Sequence, residues 1–302
     1  MCPKAWSDLS LEEKTDALYD FTKESLTQLL ENGVDVRMVQ VGNETNNGMA
    51  GETQIPSIAQ LMNAGSKAIR EVSKNYGKEI KVALHYTNAS DYDGLDSILY
   101  KLSSFQVDYD IFALSYYPYW HGTFENLQNV MANIQNKYGK ETLIAETAYC
   151  YTTEDTDGSG NSVSEADLID AYGATVQSQS TALRDVCAAA NESGALGVFY
   201  WEGAWIAVGD VTADNSPIWE EFGSGWASSY AAGYDPKDAG QYYGGCSWDN
   251  QALFDAHGKP LESLNTYKWL KHGTNAEPAI DMVTAQTITC NIDAELTLPD
   301  TV

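Results

Sequence analysis

Apolar and polar positions along the chain alternate between two periods. Ser10 and Glu13 form a capping box, and Leu18, Phe21, Leu26, Leu29 and Leu30 follow on one face of a predicted helix that Gly33 ends. A short apolar run, Met38 to Val41, stops at Gly42-Asn43-Glu44. The unit then repeats. Helix 57–75 begins at Pro56 and leads to strand 80–86, a helix near 94–104 leads to strand 111–117, and helix 123–138 leads to strand 142–147. Helix 164–193 leads to strand 197–201, and a last helix covers 262–271. Strands alternating with amphipathic helices imply right-handed βαβ units and a parallel sheet.

Each strand ends in polar or aromatic residues: Asn43-Glu44, His85-Tyr86, Tyr116-Tyr117, Glu146 and Trp201. Side chains gathered at strand C-termini are the arrangement of a (β/α)8 barrel. A doubly wound sheet also binds ligands at strand ends, but the chain has no glycine-rich phosphate loop to support one. The pattern supplies five strands where a closed barrel needs eight, so the expected fold is an incomplete α/β barrel over residues 1–271. Residues 272–279 read as a linker. Residues 280–302 alternate as strands do (Ile288, Cys290, Ile292, Leu296, Leu298) and are expected to open a small β-sandwich, Ig-like module.

Composition narrows the partners. Among 302 residues, 17 Lys and Arg stand against 43 Asp and Glu, a net charge of −26. That balance disfavours nucleic acid and anionic membrane surfaces, and no apolar run is long enough to span a bilayer. Nineteen Tyr and eight Trp suit a surface on which sugars stack, or equally an aromatic core. Five scattered cysteines (Cys2, Cys150, Cys187, Cys246, Cys290) have neither metal spacing nor the look of a disulfide scaffold. The first residues lack the apolar stretch of a signal peptide.

Glu44 and Glu146 each follow a short apolar strand, three βα units apart. Two carboxyls about 5–5.5 Å apart are what retaining glycoside hydrolysis needs, one as acid/base and one as nucleophile, and a barrel places such groups on different strand tips pointing into one cleft. Asn43 is placed to bond a sugar 2-hydroxyl, and Trp201 to offer an apolar floor to a sugar ring. Alternatively, the two glutamates are merely acidic residues at exposed loop starts.

Longer motifs favour the chemistry. Val39-Gln40-Val41-Gly42-Asn43-Glu44-Thr45-Asn46-Asn47-Gly48-Met49 resembles the acid/base motif of glycoside hydrolase family 53, the endo-β-1,4-galactanases, and Ala145-Glu146-Thr147-Ala148-Tyr149 resembles its nucleophile motif. Leu114-Ser115-Tyr116-Tyr117-Pro118-Tyr119-Trp120-His121-Gly122 resembles its sixth strand and loop, and Gly197-Val198-Phe199-Tyr200-Trp201-Glu202 its eighth strand. Trp226-Ala227-Ser228 and the stretch from Trp248 to Asp255 resemble its last loop. The resemblance covers about residues 3–270 in family order. It implies acid/base Glu44, nucleophile Glu146 and three further βα units ahead of residue 1, which would carry an arginine and a histidine of the site. It also implies a β-1,4-galactan or arabinogalactan substrate and an extracellular place of work. His85, Tyr116, Tyr117, Trp120, His121, Trp205 and Trp226 are then expected around the cleft. A clan-related mannanase or cellulase, or a galactan-binding remnant without catalysis, are the competing readings.

Residues 154–161 carry oxygen side chains at Asp155, Asp157, Ser159 and Asn161, an alternation that either wraps a calcium ion or forms a solvated acidic loop. The resemblance implies a calcium site shared with the stretch from Cys246 to Asp249. Ser159 stands where family members often have histidine, and Cys246 where serine is usual.

Overall fold

The computed structural model describes residues 2–210, 212–222, 229 and 245–273. Among the described residues, five parallel strands form one sheet: β1 (Met38–Val41), β2 (Lys81–Tyr86), β3 (Ile111–Ser115), β4 (Glu141–Thr147) and β5 (Val198–Tyr200), in sequential order. Between them run α2 (Ile55–Tyr76), α3 (Tyr92–Ser104), α4 (Phe124–Tyr138) and α5 (Val176–Glu192), with α1 (Leu11–Glu31) before the sheet. Short helices α6 (Ser216–Phe222) and α7 (Thr266–His272) follow. A doubly wound sheet reverses its order at a switch point. This one never reverses, so its crossovers turn one way, as in a segment of a (β/α)8 barrel.

Strand alternation separates the two faces. Val82, Leu84, Tyr86, Phe112, Leu114 and Ile144 belong to the large core with the helices, where Tyr86 and Phe112 stack at 4.9 Å. Ala83, Ile111, Ala113 and Leu143 form a second, smaller cluster with Met38 and Ala145. Its three alanines, Ala83, Ala113 and Ala145, alternate with larger side chains, as the confined interior of a barrel requires.

Local chemistry sets the helix ends. The Ser10–Glu13 capping box is present, Thr123 accepts from the Asn126 amide, and Gly139 closes α4 in the left-handed conformation. Two expectations fail here. Helix 164–193 shrinks to α5, preceded by one 3-10 turn at Glu165–Asp167, because Gly173 adopts φ 69° and Thr175 caps the true start. Phe21 and Leu29, assigned to the buried face of α1, are 62% and 46% exposed, whereas Leu26 is buried.

Gly65 lets α2 lie close against β1. A Cβ there would stand 2.8 Å from Val41 Cγ1 and 3.2 Å from Cγ2. Val41 is short and β-branched, so it has no flexible end to move aside. Gly65→Ala gains up to about 1 kcal/mol of helix propensity but costs about 1–3 kcal/mol of overpacking. The expected result is net destabilisation, read as a lower denaturation midpoint with unchanged slope.

Candidate active site

β1 ends in a turn that aims Glu44 across the strand tips. Gly42 takes φ 84°, and Glu44 itself takes φ 43°, a left-handed conformation that side-chain-bearing residues rarely hold. β4 ends at Glu146 and Thr147, and β2 brings in His85. Glu44, His85 and Glu146 each offer an oxygen or ring nitrogen, and these three atoms lie within 4.8 Å of one another. Among the described residues they form the one such group of His, Cys, Asp and Glu side chains.

Glu146 is buried and accepts from the Tyr117 hydroxyl at 2.9 Å. Burial pushes its carboxyl above the ordinary 4.5, with the Glu44 charge adding to the rise, while the Tyr117 and Ser115 hydroxyls oppose it. Burial also raises Tyr117, which therefore remains a donor at neutral pH. Half-buried Glu44 takes a 2.6 Å hydrogen bond from Ser115 Oγ. Ser115 Oγ lies 2.9 Å from His85 Nε2, and His85 Nδ1 lies 4.0 Å from Glu146 Oε1. Burial drives the fully enclosed His85 down to about 4, so its ring is neutral.

The aromatic residues divide. Trp120, 43% exposed, meets the Tyr117 ring at 5.8 Å, and Trp201, 37% exposed, anchors its amide on the Thr147 carbonyl beside Glu146. Trp205 is half-buried in the turn after β5, and Asn43 is exposed with Oδ1 3.1 Å from His85 Nδ1. Tyr116 departs from expectation. It is buried in the large core against Phe124, and its hydroxyl donates to the Gly122 carbonyl. His121 is also enclosed: Nδ1 accepts the Tyr117 amide and Nε2 faces Thr87 Oγ1. It braces the loop. Trp226 lies outside the described residues, as do residues 274–302, which hold most of the expected linker and all of the β module.

A profile of Glycosyl hydrolase family 53 matches residues 1–267. The chain belongs to that family. It is 51% identical over 275 residues to the "Endo-beta-1,4-galactanase" of Bacillus subtilis (strain 168), an alignment covering 90% of this chain and 63% of that protein. It is 35% identical to the "Arabinogalactan endo-beta-1,4-galactanase" of Cellvibrio japonicus (strain Ueda107), covering 68% of this chain and 57% of that one. The "Ignisphaera aggregans GH53 catalytic domain" superposes with a TM-score of 0.71 at 32% identity, over 88% of this chain and 68% of that structure. The chain thus spans about three-fifths of the length of these two curated relatives.

In this family 53 chain the loop 154–161 packs against residues 245–249. Asp155 spends its carboxylate on the amides of Asp157, Gly158 and Gly160, shaping the loop from within. Buried Asp157 accepts from the amides of Ser159 and Cys246, bridging the two segments. Thr156 donates to Asp249 Oδ2 at 2.6 Å, while Asp249 Oδ1 and Asn161 Oδ1 are buried without a partner among the described residues. Burial raises Asp249, and the neighbouring Asp157 charge adds to it. The spare buried oxygens of Asp249 and Asn161 fit a hard cation. The Cys246 thiol does not: burial pushes it to about 11 and its Sγ faces the Trp205 carbonyl.

Three residues of the site escaped the sequence reading as individuals. Ser115 and Gln40 point to the inner face, and the i, i+2 rhythm of Ile111, Ala113 and Ser115 was the signal for the first. Trp248 packs edge-on against Tyr117 at 5.7 Å, and its Nε1 is buried without a partner among the described residues.

Proposed function

We propose that the chain is a retaining endo-β-1,4-galactanase acting on the galactan side chains of pectin. One observation carries the reading: two strand-tip carboxyls, Glu44 and Glu146, come within 4.8 Å in a family 53 chain. Retaining enzymes hold their carboxyls about 5–5.5 Å apart, whereas inverting ones need about 6.5–9.5 Å to admit a water.

Glu146, ionised and held by the Tyr117 donor, attacks the anomeric carbon from the face opposite the leaving sugar. Glu44 gives its proton to the glycosidic oxygen as that bond breaks. A covalent α-galactosyl ester of Glu146 results. Water then attacks the same carbon, Glu44 takes its proton, and Glu146 leaves as carboxylate with the β configuration restored. Asn43 serves the 2-hydroxyl, and Trp120, Trp201, Trp205 and Trp226 serve the sugar faces. A polymer substrate is met outside the cell, which supports an extracellular site of action. The net charge of −26 does not repel a neutral polysaccharide.

Incubation with β-1,4-galactan tests the reading. Reducing ends should appear, with β-anomeric product first by proton NMR. No release, α-anomer first, or faster release from β-mannan or carboxymethylcellulose would overturn it.

The same reading includes a structural calcium ion, with Asp249 and Asn161 as the oxygen donors closest to the requirement and Asp155, Asp157 and Ser159 shaping the loop. Its chemistry would be to neutralise buried carboxylates and tie loop 154–161 to the segment at 245–249. Calcium at 100 times its Kd should stabilise the fold by about 2.7 kcal/mol, and EDTA should reverse the gain in Tm. In Asp249→Asn the calcium-dependent part of Tm should be lost.

A further inference from the structure

The inner face carries a hydrogen-bond chain whose polarity can be worked out atom by atom. When Glu44 is a carboxylate it cannot donate, so the 2.6 Å contact between Ser115 Oγ and Glu44 Oε1 uses the hydroxyl proton of Ser115, which also faces Glu146. That hydroxyl then has only lone pairs to offer His85, and the 2.9 Å contact needs the proton on Nε2. His85 is neutral, because burial holds it at about 4. Nδ1 is therefore bare, and Gln40 Nε2, 3.1 Å away, donates to it. Gln40 also donates to the Gly42 carbonyl at 2.9 Å, tying the chain to the turn that carries Glu44.

We propose that Ser115 is a positioning residue for Glu44: held by the Nε2–H tautomer of His85, it occupies Oε1 and leaves Oε2 as the oxygen that exchanges protons with substrate. The inference rests on the reading of Glu44 as acid/base. A general acid must present its proton at one place, and a free carboxyl can carry it on either oxygen. With Oε1 accepting from Ser115 throughout the cycle, the proton given to the leaving sugar and the one taken back from water both travel through Oε2. The Nε2–H of His85 favours this direction in the acid too, because a Ser115 oxygen already accepting from His85 is the poorer acceptor for a Glu44 proton.

One rival arrangement is built into the same atoms. Asn43 Oδ1 lies 3.1 Å from His85 Nδ1, so an Nδ1–H tautomer would also find an acceptor. It would turn the Ser115 proton toward Nε2 and away from Glu44. The charged groups that face the ring are Glu146, 4.0 Å from Nδ1, and Glu44, whose charge opposes the effect of burial on the imidazole.

Nitrogen-15 NMR of the imidazoles decides between them, with the His85 signals assigned by their loss in His85→Asn. Above pH 5 the expected result is a neutral ring protonated at Nε2, and Ser115→Ala should erode that preference. In galactan hydrolysis, Ser115→Ala should lower kcat about 10–100-fold with KM changed less than about 3-fold. Ser115→Thr, which restores the hydroxyl, should recover most of the loss. An Nδ1–H ring in the wild-type chain overturns the proposal, and so does equal loss in the Ala and Thr variants. A wild-type chain that hydrolyses no galactan would defeat the proposed function alone, and the tautomer measurement would still decide this inference.

Discussion

Glu146→Ala should abolish galactan hydrolysis, lowering kcat on the order of 10⁴–10⁶-fold, while the fold persists. Tyr117, the hydroxyl that donates to Glu146, is pushed up by burial, so it stays protonated and should not substitute as nucleophile. Stability should not fall with activity, because removing a buried carboxylate also removes its desolvation cost. Azide added with an aryl β-galactoside should restore turnover and yield α-galactosyl azide, since the anion enters from the side Glu146 vacated. Retained wild-type hydrolysis would eliminate Glu146 as nucleophile. In the wild-type chain the same residue should set the acid limb of kcat/KM. Burial raises its carboxyl, so the nucleophile protonates, and activity is lost, as pH falls through a value above 4.5.

The βα alternation and the strand tips were legible because hydrophobic period reports local geometry directly. β1 through β5 lie where the apolar runs lie, and their sequential order follows from short right-handed crossovers. Residues 164–175 misled for a local reason: helix-compatible residues such as Glu165, Leu168 and Ala171 are overruled by Gly173 at positive φ and by the Thr175 cap. Tyr116 and Tyr117 show what adjacency conceals. Strand alternation sends the first into the helix-facing core and the second to Glu146. The pairing of Glu44 with Glu146 was not deducible from spacing at all, because two residues a hundred positions apart meet only through the sheet. Family motifs supplied it. Oxygen alternation in loop 154–161 was visible, but that Asp155 would spend both oxygens on backbone amides depends on turn geometry that composition does not encode.

Glu44→Ala should produce a loss that depends on the leaving group, which separates it from Glu146→Ala. Galactan presents a sugar alkoxide that cannot depart without a proton, so its hydrolysis should fall about 10²–10⁴-fold. An aryl galactoside with an acidic phenol needs no such help and should still form the galactosyl ester at close to the wild-type rate. Hydrolysis of that ester needs the same residue as base, so the intermediate should accumulate and be visible as a mass increase of one galactosyl unit on Glu146. Azide should accelerate its breakdown and give β-galactosyl azide, the opposite anomer to that from Glu146→Ala, because the anion now attacks the ester from the face Glu44 vacated. The half-buried position of Glu44 and the deeper burial of Glu146 accord with these parts. An acid/base must meet solvent water once per cycle, whereas a nucleophile that meets only the anomeric carbon can be enclosed. Equal losses on both substrates, or the same azide anomer from both variants, would reverse or remove the division of labour between the two glutamates.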